Sequence, residues 1–350
     1  MNENFSAPLP ERPLLVLLTT GGTIAGAGDT PAQTIDYQAG VWDATDLLAA
    51  VPGLTAIARF RSEAVAAIDS KDITEALWRK LAACAQSLLD DPAVTGVLIT
   101  HGTDTLEETA YFLSLTLTGE KPVILTGAMR PATALSADGP ANLWNAARLA
   151  LSPKARGRGV LVTMNDEIFT AATVTKRASY RRNAFTAERG GPAGFIAGET
   201  IRFFHPAAPG ALSFALPKAP LPPVVILYGY AGDDGALVRA ALHTGAKGIV
   251  YAGPGMGSLP FPVEKELLAA RAKGVAVVRA SRLTDGLILS SGSPAPQNAD
   301  TAASPKEEAA FIASGSLSPV KARILLQCAL AQETPLAALP QIFCQASSLS

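Results

Sequence analysis

The side chains able to do chemistry in this sequence gather in short polar turns, each directly after an apolar, β-prone run. The run 14–18 ends in Thr19-Thr20-Gly21-Gly22-Thr23-Ile24-Ala25-Gly26. The run 65–68 ends in Asp69-Ser70-Lys71-Asp72, and the run 97–100 in His101-Gly102-Thr103-Asp104. A further run, 121–125, leads into Thr126-Gly127-Ala128-Met129-Arg130-Pro131, and Thr175-Lys176-Arg177 follows later. Hydroxyls beside a carboxylate and a lysine suit covalent acyl transfer. A hydroxyl attacks, a Lys/Asp pair moves protons, and backbone N–H groups in the glycine turns hold the oxyanion. The double glycine permits a sharp turn and exposes Thr23 at its exit. A Ser/His/Asp triad is poorly served. Only His101, His205 and His243 exist, and His101, ahead of the turn glycine, reads as structural.

Plainer readings stand beside these. Thr103 or Asp104 can cap the helix that follows, with Glu107 and Glu108 in its first turn. A glycine-rich turn can cradle a phosphate, although TGGTIAG is neither GxGxxG nor a Walker A sequence. Cations grouped in a loop, as at Lys176, Arg177, Arg181 and Arg182, are commonly just solvated.

The elements around the turns alternate. Strands are expected at 14–18, 65–68, 94–100, 121–125 and 159–164, and helices at 46–51, 73–89, 138–151 and from Leu106 onward. Leu106, Ala110, Leu113 and Leu117 recur at helical spacing. Alternation of this kind argues a parallel sheet with right-handed crossovers, and ligands bind such sheets at the carboxyl ends of the strands. The segment 27–40, rich in Gly, Asp, Pro and Gln and holding Tyr37, reads as a mobile surface loop of lid length. From 169 to 204 the pattern loosens. A proline-rich stretch over 205–222 reads as a linker. Alternation then resumes, with strands at 224–228, 248–251 and 276–279. The helices of this half are expected at 235–244, 263–273, 318–331 and 334–343, with a polar loop over 284–304. The expected fold is therefore α/β with two domains. A larger domain over 1–204 carries a mainly parallel sheet flanked by helices, and a smaller α/β domain covers 223–350.

Composition fits that picture. Of 350 residues 48% are hydrophobic and 17% charged, enough for a large core and against disorder. A net charge of −1 without a basic tract argues against nucleic acid as a partner. No apolar stretch approaches the roughly 18 residues of a membrane span. The start, MNENFSAPLPERP, is polar, acidic and proline-rich, unlike a secretory signal. Cys84, Cys328 and Cys344 are far apart and lack metal spacing. Free thiols in the cytoplasm, and no metal or cofactor, are expected.

TTGGTIAG and ITHGTDTLEETAYFL resemble the two signature stretches of the bacterial-type L-asparaginases, the asparaginase/glutaminase family. KPVILTGAMRP, SADGPANLWNA, GVLVTMND, VTKR and FIASGSLSPVKARILLQ resemble the same family in the same order, so the similarity spans nearly the whole chain. TGAMRP is closer to the type II branch. The resemblance implies a two-domain α/β amidohydrolase that converts L-asparagine to L-aspartate and ammonia, with weaker action on glutamine. It implies Thr23 as nucleophile and Tyr37 as a loop residue that closes over substrate and assists it. Thr103, Asp104 and Lys176 form a second cluster. In it Lys176 holds or deprotonates Thr103, and Asp104 pairs with the substrate α-ammonium. Ser70 takes the α-carboxylate, and the Ala128 carbonyl lies near the carboxamide nitrogen. A homotetramer built from two close dimers is implied as well, each site lying between the first domain of one subunit and the second domain of another.

The chain also departs from the family. Lys71 stands where relatives commonly carry Gln or Glu against the substrate amine, so it is expected to oppose binding unless it swings away or pairs with Asp69 or Asp72. Met256 replaces an Asn used across the dimer interface. The acidic residue that relatives lend from a neighbouring subunit has no counterpart recognisable in 285–308. The family's disulfide in the first domain is missing, with Cys84 at one position and Gly119 at the other.

Overall fold

The run 14–18 is apolar at every position because its strand is buried on both faces. In the computed structural model, which describes residues 12–207, 212–289 and 311–348, Val16 and Leu18 pack into one core and Leu15 and Leu17 into another. This strand, β1 (Leu14–Gly21), is an interior member of an eight-stranded sheet. The chain continues through α1 (Ala44–Ala49) and α2 (Leu54–Ile57) to β2 (Arg59–Ile68). Next come α3 (Glu75–Asp90), β3 (Val94–Thr100), α4 (Leu106–Thr116) and β4 (Val123–Thr126). Then follow α5 (Gly139–Leu151), β5 (Val160–Met164) and β6 (Glu167–Thr170). A two-stranded hairpin of β7 (Thr175–Lys176) and β8 (Phe185–Thr186) stands apart, and β9 (Gly194–Ala197) and β10 (Thr200–Phe203) return to the large sheet.

The order across the sheet is β10-β9-β6-β5-β4-β3-β1-β2. β1 to β5 are parallel, as alternation requires. The chain runs from β1 outward to β2, then crosses back to β3 on the other side of β1. The crevice between β1 and β3 is thus a topological switch point, where an open α/β sheet binds ligands.

The second half contains β11 (Val224–Tyr228), α6 (Ala236–His243), β12 (Gly248–Gly253), α7 (Phe261–Ala272) and β13 (Ala276–Ser281). It closes with β14 (Ile312–Ala313), α8 (Pro319–Ala331) and α9 (Leu339–Ser348). Its four strands form a parallel sheet in the order β11-β12-β13-β14. One core cluster joins the two sheets. It includes Val16 and Ile99 of the first, Ala110 and Leu113 of α4, Leu325 and Leu326 of α8, and Val250 and Val278 of the second. No helix among the described residues is long and apolar enough to cross a membrane.

Four expectations need correction. The strand expected at 65–68 begins at Arg59. It lies at the sheet edge, where exposed Arg59, Arg61 and Glu63 mask its length from a search for apolar residues and also blunt the edge against pairing. The loosened segment from 169 to 204 continues an antiparallel extension of the sheet that β6 begins and β9 and β10 complete, in strands too short to show a period. The last helix runs over Leu339–Ser348, after a tight turn at Leu336–Ala338. The N-cap of α4 is Thr105, not Thr103 or Asp104, and its hydroxyl donates to the Ser70 carbonyl instead of capping. The start at 1–11, linker residues 208–211 and loop residues 290–310 lie outside the described residues.

Candidate active site

β4, β3, β1 and β2 are neighbours and parallel, so the turns after them lie side by side at one sheet edge. Thr23 follows β1, Ser70 and Lys71 follow β2, Thr103 and Asp104 follow β3, and Ala128 follows β4. Glycine sets how closely these turns approach. Gly22 has φ +79°, and a Cβ there would stand 2.3 Å from the Gly102 Cα and 2.4 Å from its nitrogen. Only a residue without a side chain lets the turn bearing Thr23 rest on the turn bearing Thr103. The Gly22 N–H donates to the Ile68 carbonyl at 2.9 Å, tying the same turn to the end of β2.

Thr23 is buried, and its Oγ1 lies 2.5 Å from the Tyr37 hydroxyl. Tyr37 sits on the segment 27–40, whose base is closed by a bridge between Ala27 and Gln38. Burial pushes the Tyr37 phenol above its ordinary value and the Thr23 hydrogen bond acts against that, while the charges of Asp69 and Asp104 push it further up. At neutral pH Tyr37 is therefore a phenol, able to pass a proton along but not standing ready as a base.

Thr103 is buried beside a cation. Lys176 Nζ lies 2.9 Å from Thr103 Oγ1 and 2.6 Å from Asp104 Oδ1. β7 and its hairpin hold this lysine. Lys176 thus lies against both Thr103 and Asp104. The Asp104 carboxylate is more than half exposed, open to a charged group from solvent.

Ser70 is buried, and its Oγ accepts the Asp104 N–H at 3.2 Å, leaving its own proton free for an anion. Lys71 points elsewhere. Its Nζ lies 2.6 Å from Asp69 Oδ2 and 3.8 Å from Asp72 Oδ2, with the side chain 64% exposed. The Asp69 hydrogen bond raises the lysine above its ordinary range. Burial pushes the Asp69 carboxyl up, but hydrogen bonds from Lys71 outweigh it and hold the group below the usual carboxylate range.

Supporting residues appear that the sequence reading did not identify. Asp138, the N-cap residue of α5, accepts the N–H groups of Met129 and Arg130, both at 3.0 Å. Asn142, one turn on, donates to the Gly127 carbonyl at 3.0 Å. Together they fix the turn carrying the Ala128 carbonyl. Their signal was the SADGPAN string, which by periodicity marks only a helix start. His101 is fully buried, which pushes its imidazole down to about 4, and it is neutral. Its Nδ1 lies 2.7 Å from the Gly102 carbonyl and must carry the proton. Nε2 then accepts from the Thr109 hydroxyl at 3.0 Å, and Thr109 accepts the Trp78 indole N–H at 2.8 Å. Every donor in this chain has one acceptor, so His101 anchors the β3 turn, as its place ahead of the glycine led one to expect.

Two buried threonines, one with its hydroxyl against a phenol and one against a lysine–carboxylate pair, thus lie at a switch-point crevice. The arrangement has the parts for acyl transfer: nucleophile, proton carriers and turn N–H groups. It lacks an imidazole in reach of either hydroxyl.

Comparison with known proteins agrees with this chemistry. Residues 14–209 match the family model described as Asparaginase, N-terminal, and residues 223–343 match Glutaminase/Asparaginase C-terminal domain. The chain is 43% identical over 322 residues to L-asparaginase 2 of Bacillus subtilis (strain 168), covering 91% of this chain and 82% of that one. It is 41% identical to the glutaminase-asparaginase of Pseudomonas fluorescens biotype A, covering 90% and 86%. Among solved structures it resembles a probable cytoplasmic L-asparaginase from Campylobacter jejuni, with TM-score 0.87, 38% identity, and coverage of 95% of this chain and 99% of that one.

Proposed function

This chain belongs to the asparaginase family, and on that premise we propose that it hydrolyses L-asparagine to L-aspartate and ammonia through a threonine acyl-enzyme, with weaker action on L-glutamine. The observation that carries the proposal is the pairing of two threonine hydroxyls across the switch point, Thr23 on Tyr37 and Thr103 on Lys176.

Thr23 Oγ attacks the side-chain amide carbon. The new C–O bond replaces the C–N bond, and the Thr23 proton departs on ammonia by way of the Tyr37 hydroxyl. Water, held by Thr103 and Lys176, then attacks the ester carbon; as the bond to Thr23 Oγ breaks, one water proton passes to that oxygen by way of Tyr37, so that Thr23 is regenerated and aspartate leaves. Asp104 holds the substrate α-ammonium, Ser70 donates to the α-carboxylate, and the Ala128 carbonyl accepts from the carboxamide nitrogen. Lys71, drawn onto Asp69, contributes positive charge at the rim rather than a direct bond. A second reading, in which Thr103 attacks first, is favoured by one observation: the lysine lies on Thr103 and not on Thr23.

Ammonia release from asparagine by the purified chain tests the activity. Thr23→Ala tests the nucleophile: the variant should fold and lose nearly all turnover. Retention of more than about a tenth of wild-type activity, a barrier change below roughly 1.4 kcal/mol, sinks the assignment. Mass spectrometry of an acid-quenched reaction then reports which threonine peptide carries the aspartyl group.

The proposal includes two domains, 1–204 and 223–350, joined by the linker 205–222. In support, the two sheets fall on either side of the linker. It includes a homotetramer of two close dimers. In support, Tyr228, Tyr230, Met256, Phe261 and Leu283 are large, exposed and gathered where the second sheet's strands end. Cytoplasmic residence is supported by free Cys84, Cys328 and Cys344 and by the name of the Campylobacter jejuni protein.

A further inference from the structure

Lys321 is only 2% exposed, an uncommon place for an ammonium group. It stands in α8, and its Nζ donates to the carbonyl oxygens of Ala172 at 2.9 Å and Val174 at 2.5 Å. Those carbonyls belong to the segment that enters β7, whose last residue is Lys176. Glu107 stands beside the next two residues of that segment. It lies in the first turn of α4, directly after the turn that carries Thr103 and Asp104. The Thr175 hydroxyl and the Lys176 backbone N–H both favour its charged form, while its Oε2 is buried without a hydrogen-bond partner. Glu107 and Lys321 also attract each other, and Glu107 feels the charge of Lys176.

Burial alone pushes the Glu107 carboxyl up and the Lys321 ammonium down to about 8, and their mutual attraction works against both shifts. Buried opposite charges rarely add stability over apolar side chains of the same volume. What they supply is fixed geometry. The carbonyls of Ala172 and Val174 are held by Lys321 of α8, and the hydroxyl of Thr175 and the N–H of Lys176 face the Glu107 charge from α4.

We propose that Glu107 and Lys321 are positioning residues for Lys176, which set the reach of its Nζ to Thr103 Oγ1 at 2.9 Å and Asp104 Oδ1 at 2.6 Å. Helix α8, from the second half of the chain, thereby shapes the site of the same chain without touching substrate. The proposal rests on the reading that Lys176 acts on Thr103.

The test is a kinetic cycle on the full-length enzyme. Lys176→Met, Glu107→Gln, their combination, Lys321→Met and Glu107→Gln/Lys321→Met are assayed for kcat, KM and melting temperature. Glu107→Gln is nearly isosteric and keeps the fold. It should lower kcat about tenfold or more while KM moves less than about threefold, the split expected of a group felt in the transition state. In the Lys176→Met background the same change should lower the residual kcat by less than about twofold, because a positioning residue has nothing left to position. The Glu107→Gln/Lys321→Met pair should regain melting temperature lost by Lys321→Met, since no lone buried charge remains, yet keep a low kcat. Wild-type kcat in Glu107→Gln overturns the proposal. So does an equal loss in both backgrounds, or recovery of kcat together with melting temperature. Should Lys321→Met give no soluble protein, the Glu107→Gln cycle alone decides. Normal turnover by Lys176→Met would instead reject the underlying reading of Lys176, a result separate from any of these.

Discussion

The contact between Gly22 and Gly102 makes a prediction whose size follows from the coordinates. In Gly22→Ala the new methyl would stand 2.3 Å from the Gly102 Cα, where ordinary contact begins at 3.4 Å. The neighbour is backbone, so no rotamer relieves the clash, and the two turns must part by about 1 Å. Thr23 and Thr103 ride on these turns. A displacement of about 1 Å at reacting groups costs on the order of a hundredfold in rate. Folding suffers too. At φ +79° and ψ −173° the backbone lies in a region essentially reserved for glycine, so alanine there costs on the order of 1–3 kcal/mol, and the overpacking adds about 1–3 kcal/mol. Gly157 provides the control. It has φ +69° and nothing within 4 Å of a built Cβ, so Gly157→Ala carries the conformational cost without the contact. Urea melts should therefore show both variants destabilised, Gly22→Ala by more. Ammonia release should show kcat reduced about a hundredfold in Gly22→Ala and unchanged in Gly157→Ala. If folded Gly22→Ala keeps kcat within about threefold of the control, the spacing of the two turns does not govern the chemistry, and the reasoning from the glycine contact fails.

Other outcomes are expected on similar grounds. Lys71→Gln should lower KM for asparagine by no more than about threefold and leave kcat alone, because Asp69 already draws the ammonium aside and the substrate amine is held equally in ground and transition states. A rise in KM would show instead that Lys71 binds the substrate carboxylate. His101 carries a pH dependence of known sign. Its folded value of about 4 lies below the unfolded 6.5, so as pH falls through that window the unfolded chain takes up a proton that the native one refuses. Stability should drop by up to roughly 3 kcal/mol between pH 6.5 and 4, and His101→Gln should flatten that part of the profile. An unchanged slope in the variant would assign the acid loss to other groups. Light scattering should give a tetramer in solution, and a fully active monomer would remove the basis for a site shared between subunits.

Much of the site was legible because its chemistry sits where apolar runs stop. Leu14 to Leu18 and Val97 to Thr100 announce buried strands, and hydroxyls directly after them must lie at a strand end. What remained hidden was decided by groups distant in sequence. Spacing alone left Lys176 as one cation in a basic loop; the family resemblance set it beside Thr103, and the fold carries its ammonium to that hydroxyl across 73 positions. β9 and β10 hold four residues each and alternate with exposed positions, so neither periodicity nor composition separated them from loop. The cap of α4 was misread because Thr103 and Asp104 have cap chemistry but are occupied elsewhere, one with Lys176 and the other with Lys176 and Ser70. For Lys71 the sequence left two outcomes open, opposing the substrate amine or pairing with Asp69 or Asp72, and the hydrogen bond to Asp69 selects the second.

The core cluster that runs from Val16 through α4 and α8 to Val278 bears on how the molecule melts. The sequence divides in two at a proline-rich stretch, yet the apolar face of α8 is shared. Leu325, Leu326, Cys328 and Ala329 are all fully buried, in one cluster with residues of both sheets. Separating the halves would expose that helix and the α4 surface it covers, a loss of about 25 cal/mol for each Å² of apolar area uncovered. Neither half can let go without uncovering the other, so calorimetry is expected to show one cooperative unfolding transition for both sheets. Residues 1–204 expressed alone would carry every side chain assigned to the acyl-transfer step and still lack the wall against which those side chains are ordered.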